Sequence, residues 1–473
     1  MRDMLGYAVD LGLDLGSKFV ESRYEDIIIK TIMMENGSFR DVVSTRRRGL
    51  CITAYVGDSA GFSYTTSLTK ASVKNACRGA YKLGRGAGAI AAMKTKVDPM
   101  KPFVAKDLRL KVKTHPKDVT TDQKKDLLLR SNDAAKESGE RISSLLLRYG
   151  ELHGTKIIMN SEGTNVSWEP LVLDMVCMVV SKGMGGELAD GFDQIGGSFG
   201  FERFSAKEFS PETLGKNAAA WAKEKLGAKP APAGEFRALC EHQLTGVLAH
   251  ESFGHLTEGD FVISKSSPLA DRIGERLGSE HATIIDEGPV DASKLNAFWM
   301  PVDDQGVPTG KTVLLDKGIF KGYLHTRVTA STLGSISSGN ARAINFYFPP
   351  IPRMRNTYFM PGDMTEDEAV RELGTGIYAI RSHGGEVNLD GTFLFKAARG
   401  YWVEKGEIKH PLKDVTLMDS ILNLIKHVEG ATKEIKMESG YFGGCGKGEQ
   451  YPLPVGTGGP NLLLSKVRFG GEA

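Results

Sequence analysis

The sequence lacks the features that mark several common classes of protein. Its five cysteines are odd in number and scattered, and no two of them show the Cys-x-x-Cys spacing of metal ribbons or redox pairs. Because no disulfide framework is evident, a reduced, cytoplasmic protein is predicted. The longest apolar stretch, 171–180, is short and is interrupted by Asp174, so no membrane span is expected.

An excess of charge of one sign is also missing. The net charge is +2 over 473 residues, and the most basic run, 46–48, lies between two predicted strands. Nucleic acid is therefore not expected as a partner. The N-terminus carries Asp3 and Asp10 in place of a basic start followed by an apolar run, which argues against a signal peptide.

What the sequence does contain is typical of a globular protein with more than one domain. Hydrophobic residues make up 41% of the chain and charged residues 25%, and the length allows two or three domains with large cores. The segment 229–235 carries Pro230 and Pro232, which exclude helix and favour extended backbone. We therefore predict an N-terminal domain over 1–228, a stiff linker over 229–235 and a C-terminal domain over 236–473.

The N-terminal part predicts helices that flank runs of antiparallel strands. Asn36-Gly37 indicates a tight hairpin, since both residues tolerate positive φ. A second run of strands, from about 141 to 200, lies between helices predicted over 121–138 and 211–226. Both halves share the order helix, strands, helix, which suggests an internal duplication.

The C-terminal part again predicts mostly strands. Hairpin turns are indicated at Lys317-Gly318 and at Lys405-Gly406, each between two short apolar runs. The predicted fold class is α+β, with two domains dominated by antiparallel sheets with flanking helices.

The stretch with the strongest chemical signal is 248–255, which reads Leu-Ala-His-Glu-Ser-Phe-Gly-His. Two imidazoles and a carboxylate in one short stretch are typical of a metal site with its own general base. His250 and His255 are separated by about 140° on a regular helix, at roughly 100° per residue, so an unbroken α-helix would turn them apart. A π-type turn or a helix end near Gly254 is therefore predicted. The alternative is a buried helix in which the residues occur together by chance.

A catalytic zinc site usually takes three protein ligands, and the residues themselves leave the third open. His242 is more than two helical turns from His250 and cannot reach the same ion from a rigid helix. Cys240 ends a predicted strand and is expected to point into a core. Neither is therefore favoured as the third ligand.

Three further candidates stay open. Glu258 and Asp260 follow a possible turn, and each could bind the ion, support a ligand or face solvent. Cys445 is flanked by glycines, which allow positive φ and could bring the sulfur close to another element. The same residues also fit a plain glycine turn in which the cysteine has no role.

Several spaced motifs together resemble the TldD/TldE (PmbA) metalloprotease family, in particular its TldD subunit. The motifs are His250-Glu251-Ser252-Phe253-Gly254-His255 with the residues up to Asp260, Arg355-Asn356-Thr357-Tyr358 with Pro361-Gly362, Cys445-Gly446-Lys447, and Leu453-Pro454-Val455-Gly456. The resemblance covers nearly all of the second predicted domain and, more loosely, the strands of the first. The combination is specific, whereas each motif alone is not.

The resemblance implies a metallopeptidase that carries one divalent metal ion, generally zinc, in each catalytic subunit. It implies that His250, His255 and Cys445 hold the ion and that Glu251 is the catalytic acid and base. In this family the partner subunit TldE has a similar fold but lacks the His-Glu-x-x-x-His motif, so the motif indicates the catalytic member. The implied partner is a TldE/PmbA-type subunit or a second copy of the chain.

Two glycine-rich segments favour unfolded peptides as the substrate, a class that the resemblance also implies; the alternative is that these segments are ordinary surface turns. The glycine-rich segments Gly339-Asn340 and His383-Gly384-Gly385 could leave a sheet edge open to an extended peptide, whose main chain would then form the hydrogen bonds. The sequence does not single out the group that stabilises the oxyanion. The candidates are His325, His383, Arg342 and Tyr358.

Two other functions fit the same motif. The protein could be a non-catalytic, metal-stabilised regulatory protein of the DNA gyrase modulator type that family names suggest. It could also be a metal hydrolase that acts on something other than peptides. Bound metal together with the effect of Glu251→Gln on peptide cleavage would separate these functions from the peptidase.

Overall fold

The computed structural model describes residues 1–88, 95–139, 141–289 and 296–470. Helices and largely antiparallel sheets make up the fold, which confirms the predicted α+β class. Among these residues, no helix is both long enough and apolar enough to cross a membrane. The helices predicted over 121–138 and 211–226 are confirmed with those bounds.

The α-helices of the described residues mostly flank the sheets. They are α1 (Arg2–Asp14), α2 (Lys70–Ala87), α3 (Thr121–Ser138), α4 (Pro211–Leu226), α5 (His242–Val247), α6 (Gly259–Ile263), α7 (Arg327–Thr332), α8 (Glu366–Leu373) and α9 (Ile421–Leu424). A π-helix, Leu248–Gly254, continues α5. Short 3-10 turns are Pro116–Asp118, Phe201–Ser205, Lys207–Phe209, His255–Thr257 and Ile425–His427.

One twisted sheet forms the N-terminal half. Its strands are β1 (Phe19–Glu35), β2 (Ser38–Val56), β3 (Ser59–Thr65), β4 (Val104–Leu108), β5 (Ile142–Asn160), β6 (Asn165–Trp168), β7 (Leu171–Lys182) and β8 (Leu188–Gly197). β1 and β5 pair antiparallel at the centre, with β2 and β3 outward from β1 and β7 and β8 outward from β5. The hairpin predicted at Asn36-Gly37 joins β1 to β2 and is confirmed.

The basic run 46–48, which the sequence placed between two predicted strands, lies within the single strand β2. The first half of β2 is largely exposed and carries the basic run 46–48, whereas its second half is buried. The alternation of apolar and polar residues therefore changes along one continuous strand, because only part of its length packs against helices.

The two halves of this sheet repeat one arrangement. In each half, two strands lie outward from one strand of the central pair: β2 and β3 from β1, and β7 and β8 from β5. Helix α2 packs on β2 and β3, and α4 packs on β7 and β8. Gly61 of β3 and Gly191 of β8 both lie so close to a helix that a Cβ would come within 2.0 Å of a carbonyl oxygen, that of Ala80 or Ala218. This order is the one that the duplication hypothesis requires, and duplication itself stays a prediction.

The segment predicted as a stiff linker belongs to the C-terminal sheet. Within it, β9 (Lys229–Pro230) pairs in parallel with Leu412 and Lys413. Ala231 is buried in the C-terminal core. The prolines keep this backbone extended, as predicted. The extended segment is an edge strand of the C-terminal sheet and not a free linker between two domains. The division into domains at this point stays a prediction.

The C-terminal half contains two larger sheets and two small hairpins. Its further strands are β10 (Gly234–Cys240), β11 (Ile284–Glu287), β12 (Lys311–Asp316), β13 (Ile319–Phe320), β14 (Ala341–Arg342), β15 (Ile351–Pro352), β16 (Asn356–Phe359), β17 (Gly376–Val387), β18 (Thr392–Glu404), β19 (Glu407–Lys413), β20 (Thr416–Ser420), β21 (Val428–Ala431), β22 (Lys436–Ser439), β23 (Cys445–Lys447), β24 (Gln450–Leu453), β25 (Gly456–Gly459) and β26 (Leu462–Gly470). Because β17 pairs with both β10 and β18, the strands β10, β26, β20, β18 and β17 close into a small barrel.

Helix α5 and its π-helical continuation lie between this barrel and the second sheet. α5 packs on β17 from the barrel and on β16, β22 and β25 from the second sheet. At Gly246 a Cβ would lie 1.9 Å from the backbone nitrogen of Gly458, so only glycine lets the helix come this close to β25. The helix that carries the metal motif is thereby fixed between two sheets.

Candidate metal centre

The metal motif lies where an α-helix widens into a π-helix. α5 ends at Val247 and the π-helix Leu248–Gly254 follows, which confirms the predicted break. A π-helix bonds residues five apart and so brings them to one face. The ring centroids of His250 and His255 are consequently 5.4 Å apart. At Gly254 a Cβ would lie 2.0 Å from the sulfur of Met354, so any larger residue here would have to displace that buried side chain.

Cys445 completes a cluster with the two histidines. The potential ligand atoms of His250, His255 and Cys445 all lie within 4.8 Å of one another, and the Cys445 Sγ is 3.3 Å from the His255 Nε2. Gly443 and Gly444 precede the cysteine with φ of 93° and 95°, a region that favours glycine. The backbone therefore turns sharply and places the sulfur beside residues almost two hundred positions earlier in the chain.

The cluster has the properties of a site that binds a cation. His250 is 1% exposed, and neither of its ring nitrogens has a hydrogen-bond partner among the described residues. Burying an imidazole without partners is unfavourable unless something else binds its nitrogen. Two imidazoles and a thiolate form a donor set that suits zinc, so the residues present fit such an ion.

The charges within the cluster agree with this. Burial alone would raise the pKa of the Cys445 thiol, but His255 and His250 hold that pKa well below its usual value. For His255, burial opposes the charged form, yet Cys445 and Glu258 raise the pKa of the imidazole well above its usual value. The thiolate, the form that binds metals, is therefore favoured beside a charged His255 imidazole, and an ion that binds through the His255 Nε2 would displace its proton.

Glu258 and Asp260 support the cluster from outside it. The buried Glu258 carboxylate is 2.9 Å from the His255 Nδ1, which leaves the Nε2 facing Cys445. Lys447 lies 3.0 Å from Glu258 and 2.7 Å from Asp260. A carboxylate behind a metal-binding histidine fixes the tautomer and the orientation of the ring. Neither acid belongs to the group of atoms that could hold one ion, so direct binding by Glu258 or Asp260 is not proposed.

The other two candidates for a third ligand lie away from the cluster. Cys240 is fully buried at the end of β10, in the C-terminal core. The His242 Nδ1 is 2.6 Å from the carboxylate of Glu241. The burial of Cys240 agrees with its predicted core position. The pairing of His242 with Glu241 agrees with its exclusion as a ligand by helical spacing.

Glu251 lies between the cluster and open space. Its side chain is 36% exposed, and its carboxylate is 3.6 Å from the His255 Nε2. Glu251 and His250 both line a cavity of about 510 Å³. One wall of this cavity comes from the N-terminal sheet, including Met178 and Phe192, and the other from the C-terminal half. The Glu251 carboxylate therefore lies next to the cluster that could hold an ion, and it can also contact a molecule in the cavity.

Comparison with known proteins identifies the family. Models of the PmbA/TldA metallopeptidases match in consecutive parts: domain 1 over residues 20–84, the central domain over 114–226 and the C-terminal domain over 233–471. A metalloprotease of Methanocaldococcus jannaschii is 32% identical over 457 residues, which cover 95% of this chain and 98% of that protein. The chain belongs to the PmbA/TldD metallopeptidase family.

This PmbA/TldD metallopeptidase is similar to both kinds of subunit in the family. A protein of Haemophilus influenzae named metalloprotease TldD homolog is 29% identical over 462 residues, 96% of this chain and 92% of that protein. TldE of Thermococcus kodakarensis has the same fold, with a TM-score of 0.77 at 17% identity and coverage of 98% of this chain and 100% of that one. The enzyme class predicted from the motifs, a metallopeptidase, is confirmed.

The cavity of the metallopeptidase separates the candidates for oxyanion stabilisation. His383 lines it, as do Gly384 and Gly385. Tyr358 donates its hydroxyl hydrogen to Glu287, and Arg342 donates to the carbonyl oxygens of Met354 and Pro454. Both have structural roles outside the cavity wall.

Two further predicted positions are also structural. Burial lowers the pKa of His325 to about 4, and this imidazole contacts Thr329 inside the protein. The Asn340 amide is fully buried and donates to Asp286. Of the two segments predicted as an open sheet edge, only 383–385 therefore borders the cavity.

The structure also reveals a residue whose role the sequence did not indicate. Asp174 is fully buried on β7, yet its carboxylate accepts hydrogen bonds from the backbone N–H of Phe442, at 2.8 Å, and from the side-chain amide of Gln194. It thereby holds the segment 440–444, which leads to Cys445. The one signal in the sequence was a charge in the middle of an apolar run.

We expect Asp174 to make stability depend on pH. Burial raises its pKa from 3.8 to about 7, so the folded protein binds the proton more tightly than the unfolded chain does. This contribution to the free energy of unfolding is complete below about pH 4 and is lost as the pH rises through about 7. Asp174→Asn cannot titrate, so the stability of the wild type relative to this variant should fall between about pH 4 and pH 7 and stay constant above that range. Urea unfolding of both proteins across that range measures the difference, and parallel profiles would contradict the assignment.

Proposed function

We propose that this protein hydrolyses unfolded peptides, with one zinc ion held by His250, His255 and Cys445 and with Glu251 as the general acid and base. One observation carries the proposal. His250, which is buried and has no hydrogen-bond partner among the described residues, lies beside His255 and Cys445 at the wall of a cavity that Glu251 also lines. The family supports it, because its members are metallopeptidases.

The residues around the cluster suit the chemistry of amide hydrolysis. Bound zinc would supply a Lewis acid that polarises the scissile carbonyl and acidifies water. Glu251, half-exposed and 3.6 Å from the His255 Nε2, can accept a proton from water and later deliver it to the leaving amine. Cys445 donates more charge than an imidazole would, so we expect modest turnover.

The shape and lining of the cavity support the proposed substrate class. On β17 the pairing register shifts between Ser382 and Gly385, so the backbone around Gly384 is not fully used within the sheet. An extended peptide could form main-chain hydrogen bonds there. The apolar wall contains Val176 and Phe192, which would contact side chains without strong selection. Both features favour unfolded peptides over a folded substrate.

We further propose that the protein acts in an assembly with a TldE/PmbA-type subunit or with a second copy of itself. The support is the shared fold with TldE at a TM-score of 0.77. Most soluble assemblies of related chains are closed and symmetric, so a dimer is the simplest form. Light scattering of the protein purified from its source cells gives the mass, and gel electrophoresis shows whether one chain or two are present.

Removal of the metal tests the proposed function directly. We expect elemental analysis of the purified protein to find about one zinc ion per chain, a stoichiometry typical of a single three-residue site with an open position. Cleavage of an unstructured peptide should stop after treatment with a chelator and return when zinc is added. Metal without cleavage of any unstructured peptide would favour the regulatory protein, and a chain that binds no metal would exclude the site.

A further inference from the structure

One arginine in the wall of the cavity, Arg148, has no carboxylate partner among the residues that the structure describes. Arg148 lies on β5, and its neighbours Leu147 and Tyr149 point into the core against the helices. Because successive side chains of a strand alternate between the two faces, Arg148 projects from the opposite face. There it lines the same cavity as His250 and Glu251.

The surroundings of Arg148 hold the guanidinium without neutralising it. The guanidinium carbon lies 5.8 Å from the ring centroid of Phe442. Phe442 itself is packed closely on β5, since a Cβ at Gly150 would lie 3.0 Å from its ring. Among the described parts of the chain, no Asp or Glu oxygen lies within ion-pair distance of Arg148.

The acids of the cavity are already engaged elsewhere. Glu438 is 2.6 Å from Arg381, and Glu251 faces His255. Arg148 is the only lysine or arginine among the described residues that line the cavity. On the adjacent strand β7, Arg148 lies opposite Val176 and diagonal to Met178, whose apolar side chains screen a charge far less than water does. A guanidinium in such a place would bind an anion strongly.

We infer that Arg148 binds a carboxylate group of the peptide substrate. This inference rests on the proposed peptide hydrolysis and deepens it. A guanidinium presents two parallel N–H donors that match both oxygens of a carboxylate. The carboxylate belongs either to the C-terminus of the peptide or to an Asp or Glu side chain. In both cases, binding of the carboxylate at Arg148 would determine which peptide bond lies next to Glu251. The rest of the cavity lining would select among substrate side chains only weakly.

The test compares matched peptides that differ by one carboxylate. One pair is an unstructured peptide without acidic residues, with either a free or an amidated C-terminus; the other pair is amidated and carries Glu or Gln at one position. The measured quantity is the ratio of kcat/KM for the acid and the neutral peptide. We expect a ratio of about tenfold or more for the wild type in one pair, in keeping with a charge-assisted hydrogen bond. The pair that shows it identifies the source of the carboxylate.

Variants of Arg148 then show whether this residue produces the preference. Arg148→Gln should bring the ratio close to one, and Arg148→Lys should restore part of it because the charge returns without the second donor. The matched control is Arg48→Gln, which changes an exposed arginine on β2 of the same sheet, outside the cavity. The control should keep the wild-type ratio. A wild type without preference, or a ratio that Arg148→Gln leaves unchanged, would overturn the inference.

A binding measurement keeps this inference separate from the proposed catalysis. Fluorescence anisotropy of labelled peptides with the Glu251→Gln protein gives the ratio of dissociation constants for the same pairs. A preference for the acid peptide that is lost in the double variant with Arg148→Gln supports the carboxylate site even if the wild type cleaves nothing. Equal binding of the acid and neutral peptides in both pairs would refute it.

Discussion

Replacing Glu251 by Gln is expected to slow peptide hydrolysis by about 10²- to 10⁴-fold and to leave the bound metal in place. Gln has nearly the same shape but cannot accept or deliver a proton. The Glu251 side chain is 36% exposed at the cavity and lies outside the cluster of His250, His255 and Cys445, so its replacement removes none of the proposed ligands. The rate is measured on an unstructured peptide, and the zinc content of the same preparation by elemental analysis.

A matched control isolates the effect of Glu251 from that of losing a charge near the site. Glu449 is an exposed acid four residues after Cys445, and Glu449→Gln changes the net charge in the same way. This control should keep both the metal and the rate. Wild-type activity in the Glu251→Gln protein would end the proposed acid and base role. Loss of zinc together with activity would instead make Glu251 a ligand.

Replacing Cys445 by Ser is expected to have the largest effect on metal binding. A serine hydroxyl stays protonated at neutral pH, whereas the two neighbouring histidines hold the Cys445 thiol as the thiolate. The variant would retain only two imidazoles, fewer than the three protein ligands that a catalytic zinc site usually needs. We expect the affinity for zinc to fall by more than about 100-fold, beyond the 10- to 100-fold typical of changes behind a ligand, and hydrolysis to be lost.

Two further variants show whether the loss of zinc affinity depends on Cys445 itself. Glu258→Gln keeps all three proposed ligands but removes the carboxylate 2.9 Å from the His255 Nδ1, so it should weaken zinc binding by about 10- to 100-fold. Cys240→Ser changes a buried cysteine away from the cluster and should keep the metal. A bound ion also stabilises the folded state, so a chelator should lower the melting temperature of the wild type but not of Cys445→Ser. Full zinc binding by Cys445→Ser would disprove the assignment.

Local sequence patterns determined much of the fold. The bounds of α3 and α4 follow from capping residues and helical periodicity, and the hairpin at Asn36-Gly37 from backbone preferences. The π-turn follows from the five-residue spacing of His250 and His255, because only a wider turn lets both rings face one ion. These features depend on residues close together in the chain, whose geometry is nearly the same in any context.

The tertiary structure decided what depends on distant residues. From the amino acids alone, Cys445, Glu258 and Asp260 stayed open as candidates for the third ligand, and the family resemblance decided for the cysteine. In the fold, two positive-φ glycines and the anchor at Asp174 bring its sulfur to the histidines, whereas Glu258 lies behind His255. Contacts across almost two hundred residues arise from sheet pairing and close packing, which no local pattern encodes.

The cavity likewise combines residues that the sequence indicated with residues that only the fold brings together. Sequence indicated a chemical group, the His-Glu-x-x-x-His stretch, and one glycine-rich edge, but it also favoured Gly339-Asn340, which is buried in a structural network. It gave no reason to notice Arg148, since one basic residue on a strand is ordinary. Only the packing of the N-terminal sheet against the C-terminal half leaves that guanidinium facing the site. The sequence by itself determined which chemistry the protein carries, and the tertiary structure decided which residues surround it, because a cavity is formed by surfaces that meet only after folding.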